Sequence, residues 1–166
     1  AGRELDAGDR RSLLEPIALG LMEQHAREIE ADQLRQQLRQ RFYEMLGDWR
    51  SADKAVDAFL KLINERSGLL AERGQGLYAF SHLTFQEHLA ARAVSDKADY
   101  IDYTLRRLGD SWWREVVLLE AGYLSMQGKQ RATALIQAIM DCPTEPDLYH
   151  NLVLAAECLR DVGSNR

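Results

Sequence analysis

The chain has 166 residues, of which 46% are hydrophobic and 28% charged, the balance of an ordinary soluble globular chain with one domain or two small ones. A net charge of −5 argues against a protein held to nucleic acid by phosphate neutralisation, and no apolar run approaches the roughly 20 residues of a membrane-spanning helix. The amino-terminal Ala-Gly-Arg-Glu has no apolar signal core, and two cysteines, Cys142 and Cys158, build no disulfide framework, so a reducing, cytoplasmic setting fits.

Residues 1–11 are polar and read as a frayed lead-in. Ser12, with Glu15 three residues later, forms a capping-box pattern, with Pro16 in the first turns. Leu13, Leu14, Ile17, Ala18, Leu21 and Met22 then recur at helical spacing. Arg27–Glu30 reads as a short break or a small extended piece. Asp32 is the expected cap of a second helix that buries Leu34, Leu38, Phe42, Met45 and Leu46 and stops at Gly47. Ser51 opens a third, with Val56, Phe59, Leu60 and Ile63 on its inner face and an end near Ser67-Gly68.

The period then changes from helical to alternating. Gly68 to Phe80 predicts two short strands around the glycine-rich turn Gly74-Gln75-Gly76, the one convincing β signal of the chain. Thr84 and Glu87 form a second capping-box pattern for a helix to about Val94. Further helices are expected near 98–109, 112–127, 129–141 and 148–159, the stretch from Trp112 to Leu124 being apolar on nearly every side and therefore central. Pro143 and Pro146 interrupt before the last helix. The fold class is mainly α: a winged helix over residues 1–95, then an α-helical bundle or HEAT-like segment over 96–166.

Catalytic motifs are missing from the sequence. It contains no Gly-x-x-x-x-Gly-Lys-Ser/Thr loop for phosphates and no Gly-x-Ser-x-Gly nucleophile elbow. Cys142, His150 and Cys158 match no zinc spacing. In a winged helix the third helix is the one that enters DNA, but here Arg50, Lys54, Lys61 and Arg66 are offset by Asp48, Asp53, Asp57 and Glu65. Among His25, His82, His88 and His150, His82 stands out by place. It falls where the second wing strand gives way to the next helix, a rigid corner from which an imidazole can either fill the junction or donate to a phosphate oxygen.

Phe80-Ser81-His82-Leu83-Thr84-Phe85-Gln86-Glu87-His88-Leu89-Ala90-Ala91 resembles the Phe-x-His-Leu-Thr-Phe-Gln-Glu-aromatic-Leu-Ala-Ala segment of NACHT-type NTPases of the signal-transduction class. Glu65-Arg66-Ser67-Gly68-Leu69-Leu70 resembles the family's lead into the wing, and Trp112-Trp113-Arg114-Glu115-Val116-Val117-Leu118-Leu119 its tryptophan-rich following helix. The resemblance spans about residues 12–127. His88 departs from it, standing where the family carries Phe or Tyr.

The resemblance implies a regulatory piece of a larger signalling NTPase, in a class that includes innate immune receptors. The family's P-loop and Walker B acids belong to an upstream α/β domain and match nothing here. His82 matches the histidine that reaches the β-phosphate of bound ADP in the resting state. No cofactor is expected in this fragment by itself. ADP or ATP with Mg belongs to the intact parent, whose upstream nucleotide-binding domain and downstream sensor region are the implied partners, with an oligomer on activation. Phe80, Phe85 and Leu89 are expected as core that sets the position of His82. The competing readings are a free-standing helical protein-interaction module and, against the charge balance, a winged-helix nucleic-acid binder.

Overall fold

The computed structural model describes residues 5–142 and 148–164, so Pro143 and Pro146 lie outside the described residues. The chain divides into two compact units, residues 1–89 and 90–166.

The first unit opens with α1, Ala7–Glu23. Its cap is Asp6, not Ser12: the Asp9 amide donates to Asp6 Oδ1 at 2.8 Å and the Asp6 amide to Asp9 Oδ2 at 3.2 Å. Asp6–Asp9 and Ser12–Glu15 carry the same spacing, and the earlier pair wins because its turn can extend without interrupting the buried stripe. Pro16 consequently sits inside α1, where the Ser12 carbonyl loses its intrahelical donor. Both residues are exposed, so water can replace it.

The break expected at 27–30 contains a strand, β1, Glu28–Glu30. Helix α2 follows at once over Ala31–Leu46, so Asp32 lies in its first turn and does not cap it. Gly47, at φ +73°, ends α2 in the left-handed region that a side chain disfavours. Helix α3, Trp49–Leu62, is capped by Asp48, which accepts from the Ser51 amide at 2.8 Å. Val56, Phe59 and Leu60 of α3, and Ile63 beyond it, are buried as expected, as are Leu34, Leu38 and Phe42 of α2. Met45 and Leu46 are half exposed, a correction: they fit the helical spacing but belong to the last turn of α2, where the core ends.

A π turn, Ile63–Ser67, closes at Gly68, φ +58°, whose amide donates to the Ile63 carbonyl at 3.2 Å. Strands β2, Leu70–Glu72, and β3, Leu77–Phe80, form the expected wing. The sheet has three antiparallel strands in the order β1-β3-β2, with Ile29 opposite Tyr78 and Leu70 opposite Phe80. Three residues were too few for β1 to show alternation, and its pairing with β3 is what makes it a strand.

Helix α4, Leu83–Ser95, begins one residue before Thr84, so Thr84 sits inside the first turn and not at the cap. The division between the two units falls within α4. The second unit continues with α5, Tyr100–Leu105, a 3₁₀ turn at Ser111–Trp113, α6, Arg114–Gln127, α7, Lys129–Met140, and α8, Leu148–Ser164. Helices α6, α7 and α8 each pack on the other two, and α5 packs on α7. Val116, Val117, Ala121, Leu124, Leu135, Ile139 and Leu154 fill the centre of this bundle. Glu120 of α6 is buried among them, an exception to the apolar reading of that helix.

Candidate functional site

The corner between β3 and α4 is built from residues on both sides of the wing. Phe80 closes β3, buried opposite Leu70. The next residue, Ser81, continues the pairing beyond the last ladder step, its amide donating to the Leu69 carbonyl at 2.9 Å. The Ser81 hydroxyl donates to the Gly68 carbonyl. Arg73 Nη2, from the end of β2, lies 3.5 Å from the Ser81 carbonyl. After this anchored residue comes His82, then the first turn of α4, where the Phe85 amide donates to the His82 carbonyl at 3.1 Å.

His82 is exposed. Its ring lies 5.5 Å from that of Phe85, tilted by 56°. Its ring nitrogens have no hydrogen-bond partner among the described residues. Phe85 is itself 37% exposed and stands beside the imidazole, so it is not core as expected; Phe80 and Leu89 are.

One turn along α4, Gln86 is 1% exposed. Its amide donates to the Ala26 carbonyl at 2.9 Å and lies 3.4 Å from Met22 Sδ, tying the start of α4 to the end of α1. Reading the sequence left Gln86 without a role. Its spacing of four from His82 and three from Leu89 places it one helical turn below the corner, and only tertiary packing shows that it faces inward. A glutamine there satisfies a loop carbonyl that an apolar residue would leave bare.

The remaining candidates fall elsewhere. His25 (exposed, φ +50°), His88 (half-buried) and His150 (exposed) stand apart from His82 in the chain, and nothing gathers them into a site. Among the described residues no group of three or more His, Cys, Asp or Glu is placed to hold a metal, and no helix is long and apolar enough to cross a membrane. Burial pushes the Cys158 thiol up to about 12, so it is an inert core sulfur at ordinary pH. A cavity of about 570 Å³ is lined mainly by Phe42, Met45, Leu46, Ala58, Phe59 and Leu62, with Asp9 and Lys54 also on its wall; His82 does not line it. A smaller depression of about 280 Å³ lies against the corner, bordered by Arg27, Glu28, Arg73, Ala79, Phe80 and Ser81.

Two of the acids on α3 form ion pairs with α2. Arg35 of α2 bonds Asp57 of α3 at 2.6 Å, and Arg39 bonds Asp53 at 2.5 Å. The guanidinium of Arg39 also lies 4.4 Å from the Trp49 ring centre. Asp53 and Asp57 of α3 thus pair with arginines of α2.

Three helices, a wing and a helix launched from its last strand define a winged-helix domain. Residues 1–94 match the family model of the winged helix-turn-helix domain C-terminal to NACHT, and the chain belongs to that family. The match includes the corner and stops one residue before the end of α4. A search of curated proteins returned no match.

Proposed function

We propose that this winged helix is the nucleotide-sensing arm of a NACHT-type NTPase, non-catalytic itself, and that His82 donates a hydrogen bond to the β-phosphate of ADP bound by the linked NACHT domain. The observation that carries this reading is the exposed imidazole with no hydrogen-bond partner among the described residues, on a corner whose backbone is bonded on both sides. A donor held in that way fits one phosphate oxygen and costs little reorganisation when it binds. Nothing else at the corner resembles a nucleotide cradle, so the phosphates, Mg and hydrolysis fall to the NACHT domain. The helical unit links the arm to a downstream sensor region, in a cytoplasmic signalling protein that oligomerises when the resting contact breaks.

The test is the ADP content of the purified parent protein. His82 is exposed, so His82→Ala should fold with a stability within about 0.5 kcal/mol of wild type. Wild type should retain ADP, and His82→Ala should lose it and show higher resting activity. Equal retention and equal activity in the folded variant return His82 to filling a junction.

A second reading, a protein-interaction module, draws on exposed Met126 and Leu159, 76% and 54% accessible, beside a cavity of about 280 Å³ between α6, α7 and α8. A partner bound by this chain without its NACHT domain, and lost on Met126→Glu, would favour it.

A further inference from the structure

An imidazole can discriminate a phosphate oxygen only if the backbone that carries it is held in place, because a hydrogen bond weakens steeply once distance and angle leave their narrow preferred range. His82 follows a strand that has already ended: the last paired residue of β3 is Phe80, opposite Leu70. Ser81 and His82 are the two residues between ladder and helix, and without further anchorage they could pivot. Two groups bond Ser81 and a third lies near it. Its amide donates to the Leu69 carbonyl at 2.9 Å, its hydroxyl donates to the Gly68 carbonyl, and Arg73 Nη2 approaches its carbonyl at 3.5 Å.

The acceptor is itself fixed. Gly68 takes the left-handed conformation, φ +58°, at the end of the π turn, and its amide is bonded to the Ile63 carbonyl at 3.2 Å. Ile63 is 2% exposed, part of the core under α3. A chain of contacts therefore runs from that core, through the π turn and Gly68, to the Ser81 hydroxyl and on to the backbone of His82. The hydroxyl is a side-chain link in it. Alanine at this position would offer the Gly68 carbonyl no donor.

We propose that Ser81 is a positioning residue for His82: its hydroxyl bond to Gly68 sets the backbone from which the imidazole meets a phosphate oxygen. This rests on the sensing reading of His82. Ser81 touches no nucleotide and acts through its neighbour alone.

The experiment is the rate of ADP loss from the parent protein with its NACHT domain, measured for wild type, Ser81→Ala, His82→Ala and the double variant. Ser81→Ala is expected to speed ADP loss by about 3–10-fold, the loss of one neutral hydrogen bond's worth of placement. In the His82→Ala background it should add nothing, because no ring is left to position. Ser81→Thr, which keeps the hydroxyl, should restore the wild-type rate, and Ser81→Cys, with a weak donor, should fall between. If Ser81→Ala folds poorly, the Thr and Cys variants carry the comparison. Faster loss on His82→Ala with no change at Ser81 overturns the positioning role and leaves the sensing reading standing. Equal effects of Ser81→Ala with and without His82 also overturn it, showing a general structural role. No change on His82→Ala overturns both.

Discussion

Raising the pH from about 5 to about 9 is expected to destabilise the helical unit by about 4 kcal/mol, with Glu120 as the cause. This carboxyl is 1% exposed on α6. Its Oε2 accepts from Thr104 Oγ1 at 2.7 Å, while Oε1 has no partner among the described residues. Burial raises its pKa from 4.5 to about 8, against the opposing pull of the Thr104 hydroxyl and the Arg131 charge. Arg131 does not neutralise it by contact, being bonded to the Ser95 carbonyl at 2.8 Å and to Gln127 at 2.9 Å and lying over the Tyr100 ring.

The sign follows from proton counting. Below the unfolded pKa of about 4.5 both states hold the proton and stability is independent of this group. Between there and about 8 only the folded state holds it, so each rising pH unit costs about 1.4 kcal/mol; beyond the folded value the loss levels off. Cys158, pushed from 9.0 up to about 12, adds to the loss only from about pH 9 upward. Glu120→Gln keeps the shape without the charge, so its denaturation midpoint should lose this pH dependence and exceed the wild type's by the equivalent of about 3 kcal/mol at neutral pH. Parallel pH profiles for the two proteins would show that Glu120 is not buried as described.

Phe59→Ala should cost about 3–4 kcal/mol, the largest single effect expected in the winged helix. Phe59 is 1% exposed and meets the Phe42 ring edge-on, centroids 5.8 Å apart, so truncation empties the α2–α3 seam and removes an aromatic pair. The estimate sits below the full range for Phe because Phe59 also borders the 570 Å³ cavity, which lets the seam collapse or admit water. Met45→Ala, on the same cavity but 53% exposed, should change stability by less than about 0.5 kcal/mol. Urea denaturation of the two variants checks both. Similar losses would mean that the last turn of α2 is packed after all.

These two side chains show what periodicity can and cannot say. Phe42, Phe59 and Val56 were legible because helical spacing identifies a face. Met45 and Leu46 share that face, but spacing does not report how far along the helix the neighbour reaches. The stops at Gly47 and Gly68 were legible because a left-handed residue has a chemical signature. The start of α1 was not, since two capping pairs compete and only the fold chooses between them. Strand β1 depends on pairing with a strand almost fifty residues on, and a three-residue run carries no period. Glu120 and Gln86 were invisible as buried groups for a related reason: each lies at a position whose inward direction is set by packing, with its polarity answered by a hydroxyl or carbonyl distant in the chain.

The corner was legible as a place, and the resemblance implied a role for it. His82 could be located because the change of period on either side marks a strand-to-helix junction. The hydroxyl bond from Ser81 to Gly68 could not be, because it joins residues thirteen apart across a turn whose geometry the sequence leaves open. Phe85 was misplaced as core for the same reason that Met45 was: its helical phase is right, but the helix has only just begun there.

The central claim is that His82 distinguishes nucleotide states, and a switch can be biased only by a contact worth more in one state than in the other. The direct measurement is the affinity of the parent protein for ADP and for a non-hydrolysable ATP analogue, each with Mg, before and after His82→Ala. The account predicts ADP binding weakened about 10–100-fold, the worth of one charge-assisted hydrogen bond, and analogue binding weakened less than about 3-fold. Equal weakening of the two, or none of either, would contradict it.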